Sequence, residues 1–128
     1  FGGSQLRPNI HIADMVQAYV ALLKAPTQRI AGQIFNAGYE NQSVTEMAET
    51  VRGVIGNDVK MTVTPTDDNR SYHISSEKIR QELGFVAQHS IQAAVVDLVE
   101  AFEQKKLPDS LSDERYFNIK RMQNISLK

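Results

Sequence analysis

Three amphipathic segments, separated by short apolar or polar stretches, constrain the fold of this chain more than any other feature. Apolar residues recur every three or four positions over 13–24, after Ser43 and after Ser90, which is the period of a helix with one buried face. Ser43 and Glu46 also match a capping box, in which each side chain bonds the other residue's backbone N–H. The pattern predicts a helix in each of these three places.

Two of the intervening segments predict strands. The segment 33–38 is short and apolar and ends at a glycine, which is typical of a buried strand. Asn36 then lies near the carboxyl end of that strand, where open α/β sheets bind ligands, although a turn-forming asparagine is the simpler explanation of this residue alone. Apolar and polar residues alternate over 59–63, which predicts a half-exposed strand.

Two further helices are expected towards the C-terminus. One begins at Ser75 or Ser76 and runs through Leu83, with Gly84 as a left-handed stop. The other is a short helix in the tail that follows Ser112. Helices and strands therefore alternate along the chain, which predicts an α/β fold.

The stretch 5–14 combines an arginine with the start of a helix. Because Pro8 disfavours a helical backbone in the residue before it, we expect Arg7 to be extended, followed by a short apolar strand and a helix opened by Asp14. A planar guanidinium beside Gln5 matches two phosphate oxygens. An exposed arginine without a ligand is nevertheless the commoner explanation when such a pattern stands alone.

The composition of the 128-residue chain excludes several classes of protein. A formal net charge of −1 gives no electrostatic basis for binding nucleic acid or an anionic membrane, and no apolar run approaches the ~20 residues that span a bilayer. The chain has no cysteine, which excludes disulfides and fits a reducing compartment, so we expect a cytoplasmic protein. Because the sequence starts at Phe1 without a methionine, we also expect it to be a piece of a longer protein.

No motif for covalent catalysis or for dinucleotide binding occurs in the sequence. Its serines lack Gly-x-Ser-x-Gly surroundings, and no glycine-rich strand-turn-helix is present to hold a pyrophosphate. Tyr116 and Lys120 have the spacing Tyr-x-x-x-Lys, but they stand in the C-terminal tail and we interpret the spacing as a coincidence. The sequence therefore predicts no catalytic and no cofactor-binding residue in this chain.

No metal site is predicted either. The three histidines, at positions 11, 73 and 89, lack the close spacing of a helical metal-binding pair. Asp67 and Asp68 are adjacent in a polar loop over 66–70, and such a pair is more typical of a solvated turn than of a divalent-ion site.

Several short motifs follow one another along nearly the whole chain. They are Gln-Leu-Arg-Pro-Asn-Ile-His-Ile-Ala-Asp at 5–14, Gly-Gln-Ile-Phe-Asn-Ala-Gly at 32–38, Ser-Val-Thr-Glu at 43–46, Arg-Ser-Tyr-His-Ile-Ser-Ser-Glu-Lys at 70–78, Glu-Leu-Gly-Phe at 82–85 and Asp-Glu-Arg-Tyr at 113–116. In this order they resemble extended short-chain dehydrogenases/reductases of the NAD-dependent epimerase/dehydratase family that acts on nucleotide sugars. Each motif alone is weak, but the ordered set is specific.

The resemblance implies the C-terminal portion of a Rossmann-type enzyme. It would comprise the last Rossmann helix and strand and a small α/β substrate-binding domain, as a single unit over residues 1–128. The dinucleotide loop and the catalytic tyrosine and lysine of that family would lie upstream.

The resemblance also implies roles for individual residues. The arginine of the family that matches Arg7 contacts the substrate's diphosphate, and Gln5 lies in the segment that lines the same nucleotide site. Many members carry a second phosphate-binding arginine at the place that Pro65 occupies here. Either Arg70 takes over that role, or the second contact is lost and the substrate differs.

For the whole enzyme, the resemblance implies NAD or NADP as cofactor, a nucleotide sugar as substrate, and hydride-transfer chemistry of the oxidoreductase, isomerase or lyase type. It leaves a homodimer open and implies neither nucleic acid nor membrane as a partner. The chain by itself is expected to bind no cofactor and to be inactive. The alternative is a non-catalytic binding or interaction module that keeps the fold without the activity.

Overall fold

A computed structural model describes residues 1–67 and 70–126, and the described chain is an α/β structure. The elements follow the order β1 (Leu6–Asn9), α1 (Ile12–Lys24), α2 (Thr27–Ile30), β2 (Glu40–Ser43), α3 (Val44–Ile55), α4 (Glu77–Leu83), α5 (Ile91–Glu103), a 3-10 helix (Glu114–Tyr116) and α6 (Asn118–Asn124). The chain divides into two compact units, Phe1–Asp97 and Leu98–Lys128. The predicted α/β class is confirmed, whereas a single substrate-binding unit over 1–128 stays a prediction.

The strand β1 forms hydrogen bonds along both of its edges. On one edge it pairs with β2 in a two-stranded antiparallel sheet. On the other edge the N–H of Leu6 donates to Oγ of Ser71 at 2.9 Å, and the carbonyl of Leu6 accepts from the N–H of Tyr72 at 3.3 Å. Because backbone groups alternate between the edges, the nitrogen of Pro8 also faces this second edge, and its missing N–H does not interrupt the pairing with β2.

The apolar strand predicted just before Asp14 is wrong, because the helix begins earlier. His11 is the N-cap of α1: its Nδ1 accepts a hydrogen bond from the N–H of Ala13 at 3.1 Å. This cap places Ile12 in the first turn of the helix. The strand in this region lies earlier than predicted: it is β1, which contains Arg7. The predicted helix itself is confirmed and ends at Lys24 as expected.

The strand predicted at 33–38 is also wrong for the described chain, where two residues of the segment bond to side chains and none pairs with a strand. The N–H of Gly38 donates to Oγ of Ser76 at 2.8 Å, and the same hydroxyl donates back to the carbonyl of Gly38 at 3.0 Å. The carbonyl of Ile34 accepts from Nζ of Lys78 at 3.1 Å. These bonds satisfy polar groups that a ladder would otherwise pair.

The segment 59–63, predicted as a strand, has no strand pairing within the described residues either. Next to it, the N–H of Gly2 donates to the carbonyl of Thr64 at 3.0 Å. Val63 is 73% exposed, so the alternating pattern does not bury this apolar side chain. The strand β2, which pairs with β1, is instead polar (Glu-Asn-Gln-Ser), so an apolar pattern could not predict it.

The remaining helix predictions are confirmed. In the capping box, Oγ of Ser43 accepts from the N–H of Glu46 and the carboxylate of Glu46 accepts from the N–H of Ser43, which lowers the pKa of Glu46. Gly84 ends α4 with φ of 69°, and Oγ of Ser90 accepts from the N–H of Ala93 at the start of α5. The short helix expected in the tail is α6. None of the described helices is long and apolar enough to cross a bilayer.

A small apolar core joins α1, α4 and the segment that follows α4. Its buried members are Ala18, Ile79 and Phe85. Partly buried apolar residues surround them: Ile10, Ala21, Phe35, Ala37, Leu83 and Ala87. The segment 33–38 therefore contributes to the core although it lies in no sheet.

Asp14 ties the segment after α4 to the first turn of α1. This side chain is 2% exposed, and its Oδ2 accepts from the N–H groups of Gln88 at 3.0 Å and His89 at 2.8 Å. Its Oδ1 lies 2.8 Å from Nδ1 of His89. Burial alone would raise the pKa of Asp14, but the hydrogen bonds from His89 and Gln88 outweigh it and hold the pKa below its ordinary value.

A second aspartate–histidine pair stacks on the first. Because Nδ1 of His11 accepts the backbone bond of the helix cap, its Nε2 carries the proton and donates to the carboxylate of Asp97 at 3.1 Å. The rings of His11 and His89 stack with centroids 4.8 Å apart. Together the two pairs join the start of α1, the residues before α5 and α5 itself.

We expect Asp14→Asn to lower the free energy of unfolding by about 2 kcal/mol at pH 7, because a buried carboxylate that accepts three hydrogen bonds is replaced by a neutral amide. The folded state holds the pKa of Asp14 below its ordinary value of 3.8, so the unfolded chain takes up the proton first as the pH falls. The stabilisation is complete above that value and is lost as the pH falls through the folded pKa. Urea unfolding of both proteins at pH 7 and at pH 3 measures this difference.

The matched control is Glu49→Gln, which removes an exposed carboxylate from α3. It should change the free energy of unfolding by less than about 0.5 kcal/mol at pH 7. A difference between the wild type and Asp14→Asn that stays constant between pH 7 and pH 3 would contradict the role of the charge.

Candidate functional site

Arg7 is the centre of the candidate site, and its guanidinium is held at the second edge of β1. Its Nη1 donates to the carbonyl of Leu6 at 2.9 Å and to the carbonyl of Arg70, 63 residues away in sequence, at 2.5 Å. Its Cζ lies 4.9 Å from the centroid of the Tyr72 ring. The side chain is half-buried, so protein contacts fix it while part of it faces solvent.

A cavity of about 720 Å³ lies next to this edge, and polar and apolar groups line it in similar proportion. Gln5 contributes to its wall: its Oε1 accepts from the N–H of Gly3 at 2.6 Å, and its Nε2 donates to the carbonyl of Phe1 at 3.0 Å. Hydroxyl-bearing residues supply much of the remaining wall, namely Ser4, Thr45, Thr64, Thr66 and Ser71.

Glycine shapes the same wall. A Cβ on Gly3 would lie 2.5 Å from Oγ1 of Thr45, a distance that real Cβ atoms do not reach. Gly2 has φ of 68°, in the left-handed region that glycine adopts without strain. The two glycines therefore let the N-terminal residues lie directly against the start of α3.

The structure brings three of the four predicted site residues into one region. Gln5 lines the cavity. Arg7 and Arg70 do not line it, but Arg7 follows Gln5 by two residues and donates to the backbone carbonyl of Arg70, which precedes the lining residue Ser71. Asn36 is exposed and is not among the residues that line the cavity. The strand that was to carry Asn36 is absent from the described chain, so the sheet edge that suggested a ligand contact is absent as well.

Sequence reasoning missed the contact between Tyr72 and Arg7. The available signal was the pattern Arg70-Ser71-Tyr72, which places an aromatic residue two positions from an arginine in a polar region. What the sequence alone does not give is the hydrogen bonding of Ser71 and Tyr72 to Leu6, which brings this segment beside β1.

The groups around the cavity offer hydrogen-bond donors and acceptors to a ligand. None of the described residues that line the cavity carries a carboxylate, an imidazole or a thiol. Over 1–67 and 70–126, no group of three or more His, Cys, Asp or Glu residues is placed to hold a metal ion. Asp68, one half of the Asp67–Asp68 pair, lies outside the described residues. Hydroxyls, an amide and a nearby guanidinium suit a polar ligand that carries negative charge.

The sequence is similar to that of a known enzyme over most of its length. No protein-family profile matches the chain. UDP-glucose 4-epimerase from Corynebacterium glutamicum is 33% identical over 103 residues, which cover 78% of this chain and 31% of the epimerase.

The fold is similar to that of solved structures. A partial-consensus L-threonine 3-dehydrogenase matches with a TM-score of 0.68 and 16% identity, over 79% of this chain and 34% of the dehydrogenase. The enzyme WbmF from Bordetella bronchiseptica, in complex with NAD+ and UDP, matches with a TM-score of 0.63 and 23% identity, over 98% of this chain and 35% of that enzyme. These two likenesses bear on the fold alone.

The chain thus spans about a third of the length of each of these proteins. The homology to the epimerase and the Rossmann-type folds of the structural neighbours confirm both the resemblance and the fold class predicted from the motifs. The chain is a homologue of one part of UDP-glucose 4-epimerase.

Proposed function

We propose that this chain is the substrate-binding part of an NAD(P)-dependent enzyme that epimerises, dehydrates or reduces the sugar of a nucleotide sugar. The observation that carries the proposal is the guanidinium of Arg7, which two carbonyls and a tyrosine ring hold near the cavity that Gln5 lines. The homology to UDP-glucose 4-epimerase supports the choice of ligand, and so does the UDP bound to WbmF.

Arg7 would bind the diphosphate of the substrate. Its Nη1 donates to the carbonyl oxygens of Leu6 and Arg70, which holds the guanidinium beside β1, and the planar group would contact two phosphate oxygens. Bidentate contacts of this kind are short and specific in direction. Arg70 either supplies a second contact to the diphosphate or plays no part in binding, and both alternatives stay open.

The cavity beside Gln5 would hold a further portion of the nucleotide. Its volume of about 720 Å³ lies within the range of sites for small ligands. Its hydroxyls and the amide of Gln5 match the hydrogen-bonding groups of a ribose or a base. Since no acid or base lines the cavity among the described residues, this region would orient the substrate, while a nicotinamide bound elsewhere in the enzyme exchanges hydride with the sugar.

Exposed apolar surface on α1 supports the view that this chain packs against further protein. Four apolar side chains of α1 share one face and are at least half exposed: Ile12, Val16, Tyr19 and Leu23. Ile34, in the segment without strand pairing, is exposed as well. A contiguous apolar face next to an unpaired segment is what one layer of a larger α/β sheet would present.

The coding sequence upstream of Phe1 tests the proposal at the level of the gene. A glycine-rich strand-turn-helix followed by Tyr-x-x-x-Lys is the expected result. The upstream part of the protein would then bind the dinucleotide and carry the catalytic tyrosine and lysine. A stop codon or an unrelated domain would contradict the proposal and favour a non-catalytic module.

In the enzyme that contains this chain, we expect Arg7→Ala to raise the KM for the nucleotide sugar ~10-fold or more, because a charge-assisted bidentate contact is lost. The effect on kcat should be smaller, because the contact is remote from the reacting sugar carbon. Steady-state kinetics measure both constants. Arg29→Ala, which removes an exposed arginine from α2, is the control and should leave both unchanged. Unchanged constants for Arg7→Ala would remove Arg7 from the site.

The 128 residues alone should bind no NAD, because the sequence contains no dinucleotide-binding loop. Isothermal titration of the chain with NAD is expected to give no heat beyond dilution. A Kd in the micromolar range would contradict this expectation and would place a cofactor site within the chain.

A further inference from the structure

We propose that Tyr72 is the residue that positions the guanidinium of Arg7 for the diphosphate. The inference rests on the proposed function and adds a residue whose role is to orient Arg7 rather than to touch the substrate. Its basis is the contact between the Tyr72 ring and the Arg7 guanidinium at the second edge of β1. The hydrogen bonds that join the segment of Tyr72 to Leu6 and Arg7 hold the two side chains in place.

The geometry is that of a cation–π contact. The Cζ of Arg7 lies 4.9 Å from the centroid of the Tyr72 ring, within the distance of about 6 Å at which the ring face attracts a cation. Arginine is suited to this arrangement, because a planar guanidinium stacks on a ring while its edge still donates hydrogen bonds. The ring can therefore hold the cation without competing with a phosphate for the N–H groups.

Tyr72 is held by its backbone rather than by a core. Its side chain lies at the surface, and the residue is 47% exposed. Three hydrogen bonds instead tie its segment to β1: Leu6 N–H to Ser71 Oγ, Tyr72 N–H to the Leu6 carbonyl, and Arg7 Nη1 to the Arg70 carbonyl. These bonds fix the backbone on which the ring stands, so the ring is a defined platform although it is solvent-accessible.

The consequence is that Arg7 is oriented before a ligand arrives. An arginine side chain loses considerable rotamer entropy when it is fixed, and a contact that fixes it in the free protein removes that cost from binding. The effect depends on the face of the ring and not on the hydroxyl, so phenylalanine should replace Tyr72 and leucine should not.

Nuclear magnetic resonance of the chain tests the positioning without any ligand. Protons of Arg7 above a ring face are shifted upfield by the ring current. Tyr72→Leu should move the δ and ε proton signals of Arg7 downfield, whereas Tyr72→Phe should leave them near their wild-type positions. Tyr19→Leu removes a different exposed tyrosine, on α1, and should leave the Arg7 signals unchanged.

Titration of the enzyme that contains this chain with UDP tests the consequence for binding. Loss of a cation–π contact at an exposed site should weaken the affinity of Tyr72→Leu for UDP about 2- to 5-fold, against ~10-fold or more for Arg7→Ala. Tyr72→Phe should bind like the wild type. In the Arg7→Ala background, Tyr72→Leu should cause no further loss, because the ring then has no guanidinium to orient.

The outcomes separate the two proposals. Arg7 signals that do not move in Tyr72→Leu, or losses of UDP affinity that add fully in the double variant, overturn the role of Tyr72. Equal UDP affinity of the wild type and Arg7→Ala overturns the diphosphate role of Arg7, and with it the purpose assigned to Tyr72. Shifted signals together with non-additive losses support both.

Discussion

The candidate site depends on the way in which β1 is bonded along both edges. One edge pairs with β2, and the other is occupied by the segment around Ser71, which lies some 65 residues later in the chain. Without the second set of bonds, the carbonyl of Arg70 and the ring of Tyr72 would not lie beside Arg7. A strand of four residues thus places in one region groups that are far apart in sequence.

The helices could be predicted from the sequence because their signals are local. The capping box of Ser43 and Glu46 and the left-handed stop at Gly84 act within one turn of the helix that they bound, and both are present as expected. The start of α1 was misplaced because His11 caps the helix with a ring nitrogen. Histidine is not among the residues that usually mark a helix start.

The strands could not be predicted in the same way, because a strand exists only where a partner is present. In the apolar segment 33–38, Gly38 and Ile34 bond to the side chains of Ser76 and Lys78, whereas the polar segment that forms β2 pairs with β1. For the same reason the sequence indicated Arg7 and Gln5 through local motifs but gave no contact between Arg7 and Tyr72. That contact depends on pairing between distant segments.

The contacts of the Arg7 guanidinium have a consequence for which amino acid this position tolerates. Its Nη1 donates to the carbonyls of Leu6 and Arg70, and its central carbon lies beside the ring of Tyr72. A lysine ammonium could donate to the carbonyls, but it lacks the planar face that arginine presents to an aromatic ring. Charge alone therefore does not define this position: it requires a planar cation.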